Sequence, residues 1–184
     1  KIYILLSKKM NLKDHIRSIQ DYPKKGILFR DITTLIKNND AFTHTIDLMV
    51  ESSKNFKIDK IAAMESRGFV FASALSYILK KPFILLRKKN KLPAETHSVD
   101  FELEYGTATM EVHKDSISKN DNVLLIDDLI ATGGTAEAAA KLVEISKGKV
   151  SGFIFVINLF DLGGSDNLIK KGYKVKNLIE FPGH

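Results

Sequence analysis

The sequence predicts an α/β fold: an open, mostly parallel twisted sheet flanked by helices, with a hairpin-type mobile loop and a small amino-terminal segment. Three observations predict it. Short apolar runs at residues 60–64, 83–86, 122–127 and 152–158 alternate with helical patterns, and strands joined through helices pair in parallel by right-handed crossovers. The run Val123-Leu124-Leu125-Ile126 has no polar position, as a strand buried on both faces requires. Two carboxylates and a glycine pair follow it in Asp127-Asp128-Leu129-Ile130-Ala131-Thr132-Gly133-Gly134-Thr135, and open sheets of this kind bind ligands at the carboxyl ends of their strands.

Taken in order, residues 1–9 hold only the apolar run Ile2-Tyr3-Ile4-Leu5-Leu6, too short to span a bilayer and without a small-residue cleavage site. Met10-Asn11-Leu12 reads as a natural start, so residues 1–9 are expected to be an upstream extension or a cloning remnant and residues 10–184 one domain. Leu12, Ile16 and Ile19 form one apolar stripe, predicting a short amphipathic helix, which Asp21-Tyr22-Pro23-Lys24-Lys25-Gly26 breaks. Asp40 is positioned to cap a helix over residues 40–54, with Phe42, Ile46, Met49 and Val50 buried. Residues 60–64 read as a strand, 69–79 as a helix and 83–86 as a second strand, a βαβ unit. Residues 88–98 are polar and aperiodic, hence an expected mobile loop. Residues 101–105 and 109–112 flank Gly106-Thr107 as a hairpin. A strand at 122–127, a helix at 135–147, a strand at 152–158, a helical turn at 166–170 and a strand at 174–179 complete the pattern.

Bulk composition excludes several chemistries. With no cysteine among 184 residues there is no disulfide framework, thiolate zinc site or cysteine nucleophile. The five histidines never take metal-ligand spacing; His44, His97 and His113 stand alone. The absence of cysteine fits a reducing cytoplasm. A net charge of +6 suits an anionic partner, whether nucleic acid, membrane or a phosphate ester, or else only a solvated face. Its densest cluster is Arg87-Lys88-Lys89-Asn90-Lys91. No RNA-binding signature accompanies it.

The strand-to-helix segment carries the chemistry. Adjacent strand residues point to opposite faces, so Asp127 and Asp128 take different roles unless the chain turns there. Carboxylates accept hydrogen bonds from vicinal sugar hydroxyls. Ala131, Thr132, Gly133, Gly134 and Thr135 supply small residues, two hydroxyls and freedom for unusual dihedrals. Their backbone N–H groups can ring an anion at a helix N-terminus. No Lys follows the glycines, so this is not a Walker loop. The plainer alternative is a strand–turn–helix connection with Thr as the cap.

This segment resembles the ribose-phosphate motif of the type I phosphoribosyltransferases, which use phosphoribosyl pyrophosphate (PRPP). The resemblance implies that Asp127 and Asp128 meet the ribose hydroxyls, directly or through magnesium-bound water, and that residues 131–135 hold the 5′-phosphate. Three further stretches resemble the adenine phosphoribosyltransferases: Asp21-Tyr22-Pro23-Lys24-Lys25-Gly26-Ile27-Leu28-Phe29-Arg30-Asp31, Glu65-Ser66-Arg67-Gly68-Phe69, and Leu92-Pro93-Ala94-Glu95-Thr96 with Leu103-Glu104-Tyr105-Gly106. The likeness runs from Met10 to Ile179. It implies that the amino-terminal segment binds the base, with Phe29 stacked on adenine and the backbone of Leu28 and Arg30 reading its edge. It also implies a cis peptide between Glu65 and Ser66. Arg67, Arg87, Lys88 and Lys91 would stabilise the departing pyrophosphate, while Lys89 stays solvated. Residues after this cluster would form a water-excluding lid. Glu104 would manage the proton lost from adenine or stabilise the oxocarbenium-like transition state, and Tyr105 would shape the site beside it. From residues alone, Phe29 could equally be core, Arg67 a surface residue and Glu104 an exposed hairpin acid.

The implied reaction is transfer of 5-phosphoribosyl from PRPP to adenine, yielding AMP and pyrophosphate, in purine salvage in the cytoplasm. Mg²⁺ would be held mainly by PRPP and water, with no direct protein ligand. The partners expected are PRPP, adenine, AMP and pyrophosphate, with a homodimer and neither nucleic acid nor membrane. Two departures stand out. Ile157-Asn158-Leu159 replaces the family's Ile-Glu-Leu, and Gly163-Gly164-Ser165-Asp166 replaces its Asn-Gly-Arg-Glu turn, placing any role of the missing Glu and Arg at the periphery or a subunit contact. Alternatives are transfer to xanthine or orotate, a non-catalytic PRPP-sensing regulator, and a basic RNA-binding domain.

Overall fold

A computed structural model describes residues 10–103 and 106–183. Its centre is a seven-stranded sheet. In chain order its strands are β3 (Lys60–Met64), β4 (Phe83–Lys88), β5 (Thr96–Leu103), β6 (Gly106–His113), β7 (Asn122–Ile130), β8 (Lys149–Leu159) and β9 (Val175–Phe181). The spatial order is β5-β6-β4-β3-β7-β8-β9. Five strands pair in parallel, and the β5–β6 hairpin joins antiparallel at one edge. Successive strands proceed from β3 to β4 on one side and from β7 to β9 on the other. The order therefore reverses between β3 and β7, and a crevice opens beyond their carboxyl ends.

Alternation along the central strands divides the core into two layers. Val123 and Leu125 of β7 and Phe153 and Phe155 of β8 pack on one face. There they meet α4 (Gly134–Ile145), whose alanines at 136, 138, 139 and 140 are buried and let the helix lie close to the sheet. Leu124, Ile126, Ile154 and Val156 point the other way, towards α2 (Asn39–Ser53) and α3 (Arg67–Leu79). Two short helices, α1 (Thr33–Ile36) and α5 (Gly164–Lys170), complete the set. No helix among the described residues is long and apolar enough to cross a membrane.

The amino-terminal stripe misled. Instead of a helix through Ile19, a 3₁₀ turn at Leu12–His15 gives way to β1 (Arg17–Gln20), which pairs antiparallel with β2 (Leu28–Asp31). Only Leu12 and Ile16 reach the core, so the i, i+4 spacing was real but its continuation to Ile19 was not. An Arg17–Asp31 ion pair of 2.5 Å ties the two strands across their register. The α2 cap is Asn38, whose Oδ1 accepts the Ala41 N–H at 2.9 Å. Asp40 sits in the first turn, where its charge suits the helix dipole. The expected loop at 88–98 is shorter, because β5 begins at Thr96.

Candidate active site

The crevice at the β3/β7 reversal is a cavity of about 820 Å³. Asp127 and Asp128 form its floor at the end of β7. Strict alternation would send them to opposite faces, yet both carboxylates meet the same loop. Arg67 Nε donates to Asp128 Oδ2 at 2.6 Å, and Asp127 Oδ1 lies so near Gly68 that a Cβ there would stand 2.8 Å away. The facing of the side chains changes here while the strand stays paired: Leu129 packs on the core that contains Leu124 and Ile126, and Ile130 on the one that contains Val123 and Leu125. The two carboxylates reach the start of α3 without a chain turn, since β7 stays extended and paired through Ile130.

The two acids have unequal surroundings. Burial, then the charge of Asp128, push the Asp127 carboxyl well above its ordinary value. Its Oδ1 also accepts the Asp128 N–H at 2.9 Å. Asp128 is almost fully buried but holds the Arg67 guanidinium.

Beyond Ile130 the backbone curls through Ala131 and Thr132 into Gly133, whose φ of +96° favours glycine. Gly133 is the N-cap of α4 and no side chain caps that helix. Its first-turn N–H groups are thus available to an anion. Thr132, Gly134 and Thr135 also border the cavity, and Thr135 stands inside the helix rather than capping it. The turn is buttressed from an unexpected side. Gly164 N donates to Ala131 O at 3.0 Å, and a Cβ on Gly164 would stand 2.3 Å from that oxygen. Gly164, the position of the 163–166 segment that keeps the family's glycine, lies beneath the phosphate-sized turn.

Leu28, Phe29 and Arg30 border the opposite wall. β2 pairs only with β1 among the described strands, so its other edge has main-chain groups free for a ligand. Phe29 belongs to neither core layer. Its ring meets Tyr22 edge-on at 5.1 Å and the Arg67 guanidinium at 5.7 Å. The Arg30 side chain turns away from the cavity, donating to Ser18 Oγ at 2.6 Å and to Pro182 O at 2.9 Å.

The basic cluster divides. Lys88 borders the cavity, whereas Arg87 and Lys91 do not line it. Arg87 instead pairs with Glu65 at 3.0 Å and donates to Lys91 O at 3.2 Å. Burial draws the Glu65 carboxyl upwards, but hydrogen bonds from Arg87 and the Lys88 N–H overcome this and hold it below its usual range. The Glu65–Ser66 peptide is cis, and so is Tyr22–Pro23. Glu104 and Tyr105 lie outside the described residues; Leu103 pairs with Gly106 across β5 and β6, and Glu102 borders the cavity.

Leu159, Leu162 and Gly183 also border the cavity, and none carried a signal in the sequence. Leu159 ends β8, Leu162 lies in the turn after it and Gly183 follows β9, positions that look like any strand end.

Among the described residues no group of three or more His, Cys, Asp and Glu is placed to hold a metal ion. The Asp127–Asp128 pair, one of them engaged by Arg67, suits a hard cation that brings oxygen ligands of its own.

Comparison with known proteins gives concordant matches. Residues 32–181 match the family described as the phosphoribosyl transferase domain. An adenine phosphoribosyltransferase of Pelagibacter ubique is 80% identical over 175 residues, covering 95% of this chain and 100% of that protein. The crystal structure of adenine phosphoribosyltransferase from Thermoanaerobacter pseudethanolicus superposes with a TM-score of 0.89 at 46% identity, covering 92% of this chain and 98% of that one. The Saccharomyces cerevisiae enzyme, solved with an imino-altritol bisphosphate and adenine, gives 0.84 at 36% identity, covering 91% and 96%.

Proposed function

We propose how the site works on the premise that this chain belongs to the phosphoribosyl transferase family and, within it, to the adenine phosphoribosyltransferases. It transfers the 5-phosphoribosyl group of PRPP to adenine, forming AMP and pyrophosphate. The bond from the anomeric carbon to pyrophosphate breaks, the bond to adenine N9 forms, and the N9 proton leaves.

The lining of the cavity supports most of the residue roles. The turn of Ala131, Thr132, Gly133, Gly134 and Thr135 takes the 5′-phosphate on main-chain N–H groups, with the α4 dipole favouring its charge. Asp127 and Asp128 accept the ribose hydroxyls. Arg67 and Lys88 face the pyrophosphate, whose negative charge grows as its bond breaks. Arg87 and Lys91 support this from outside, Arg87 by holding Glu65 and hence the Arg67 turn. Phe29 stacks on adenine while the open edge of β2, at Leu28 and Arg30, reads its hydrogen-bonding edge. Glu104 takes the proton or stabilises the cationic sugar. Mg²⁺ bound by PRPP and water would neutralise pyrophosphate charge, and Asp127 and Asp128 are the residues that would meet its water ligands.

One observation supports this division most directly. Arg67 bridges the acidic floor and the aromatic wall, contacting Asp128 and facing Phe29, so ribose and base sites share one boundary. The test is a panel of adenine, hypoxanthine, xanthine and orotate with PRPP and Mg²⁺. Adenine should be consumed with stoichiometric AMP. Turnover with another base alone would overturn the reading.

We place the reaction in the cytoplasm, since the chain has no cysteine and needs no oxidising compartment. A homodimer is also proposed. Val70 and Tyr77, two turns apart on α3, and Leu85 on the α3 side of β4 are exposed, leaving an apolar face that a second copy would cover.

A further inference from the structure

Arg30 is nearly fully buried although it carries a permanent charge. Burying a guanidinium is costly unless its donors are used, and here its Nε has no partner. Stability alone does not account for such an arrangement. All but one of its remaining contacts lead to one place. Two of its nitrogens donate, one to Ser18 on β1 and one to the Pro182 carbonyl after β9. The guanidinium carbon lies 4.5 Å from the centre of the Phe181 ring. Asp161, after β8, supplies the nearby negative charge, and its Oδ1 also accepts the Gly183 N–H at 2.6 Å. Lys13 approaches the same Phe181 ring at 5.4 Å.

These contacts join two parts of the cavity wall. One is β2, whose Leu28 and Phe29 are proposed to hold the base. The other is the strap of residues 181–183, where Gly183 borders the cavity beside Leu162. A Cβ on Gly183 would stand 2.7 Å from Leu162 Cγ and 3.0 Å from Asp161 Oδ1, so the strap already presses on the cavity wall.

We infer that Arg30 and the strap at 181–183 form a positioning unit for the base: the buried guanidinium fixes the spacing between β2 and the strap and so sets the width of the adenine slot. Arg30 is a positioning residue, since its guanidinium is spent on Ser18 and Pro182 and acts on the base only through them. The inference rests on the base lying against Phe29.

The test measures the KM for adenine, kcat and the directly measured Kd for PRPP in Arg30→Met, Arg30→Lys, Gly183→Ala and Phe29→Ala, with thermal midpoints for each. Arg30→Met should raise the adenine KM about tenfold, equivalent to about 1.4 kcal/mol, while the PRPP Kd stays within about twofold. Arg30→Lys keeps one donor but loses the fork and should fall between. Gly183→Ala reaches the slot without touching Arg30 and should raise the adenine KM while the PRPP Kd is kept. If Phe29→Ala raises the adenine KM but neither Arg30→Met nor Gly183→Ala does, the positioning unit is wrong and the base site stands. If Phe29→Ala also leaves it unchanged, the base site itself is misplaced and the inference falls with it. A parallel loss of PRPP affinity in Arg30→Met would reduce Arg30 to a general structural role and overturn the proposal.

Discussion

Asp127 and Asp128 are neighbours with opposite electrostatic fates. Asp128 is neutralised by Arg67, while Asp127 has burial and a second carboxylate against its ionisation. A carboxyl whose folded pKa lies above its unfolded value near 3.9 favours the fold while protonated. That contribution is present below the unfolded pKa and is lost as pH rises through the folded one. Asp127→Asn removes the penalty and preserves an oxygen for the Asp128 N–H. It should therefore raise the thermal midpoint at pH 8 by about 2–4 °C, with a smaller gain at pH 4, and weaken PRPP binding at least tenfold. Calorimetry at the two pH values together with PRPP titration checks this; an unchanged or lower midpoint at pH 8 would remove the burial argument. The acid pair was legible in the sequence as a sugar-binding feature. Its pairing with Arg67 was not, because the two residues lie 61 positions apart and only tertiary packing joins them.

At the scale of elements, the phosphate turn depends on a second turn. Gly164, at the start of α5, packs against Ala131 and Gly133 with no room for a side chain. Gly164→Ala should displace the turn, destabilise the protein by about 1–3 kcal/mol and weaken PRPP binding at least tenfold. Adenine binding to the free enzyme should be little changed, because the base wall lies on β2. Equilibrium unfolding with separate titrations of PRPP and adenine measures both effects, and retained PRPP affinity would show that the turn is self-supporting. Strands with uninterrupted apolar runs were readable, since burial on both faces leaves a strong pattern. β1 was not, because three exposed residues and one half-buried one, paired to a single neighbour, leave none. Likewise Gly164 gave no sign of its part in the site, because its contact with Ala131 belongs to the packed chain.

Across the whole molecule, reversal of strand order between β3 and β7 brings residues around 65–68 and 127–135 to one crevice. This part of the architecture followed from the alternation of strands and helices. The exposed face of α3 did not, because its apolar residues run almost all round the helix and periodicity could not separate core from contact. Sedimentation equilibrium should give twice the chain mass for the native protein. Leu85→Lys or Tyr77→Asp should shift it to the single-chain mass without loss of fold by circular dichroism. A native monomer would dispose of the dimer. The link between Arg30 and Pro182 spans 152 positions, and it has a consequence for biosynthesis. A nascent chain that has released β2, β3, β7 and Gly164 carries the base wall and the phosphate turn with its buttress. The grip on the nucleobase nevertheless waits for residue 182 to leave the ribosome. A translation product stopped before Pro182 would recognise the sugar phosphate and hold the base poorly, so competence for the second substrate follows competence for the first.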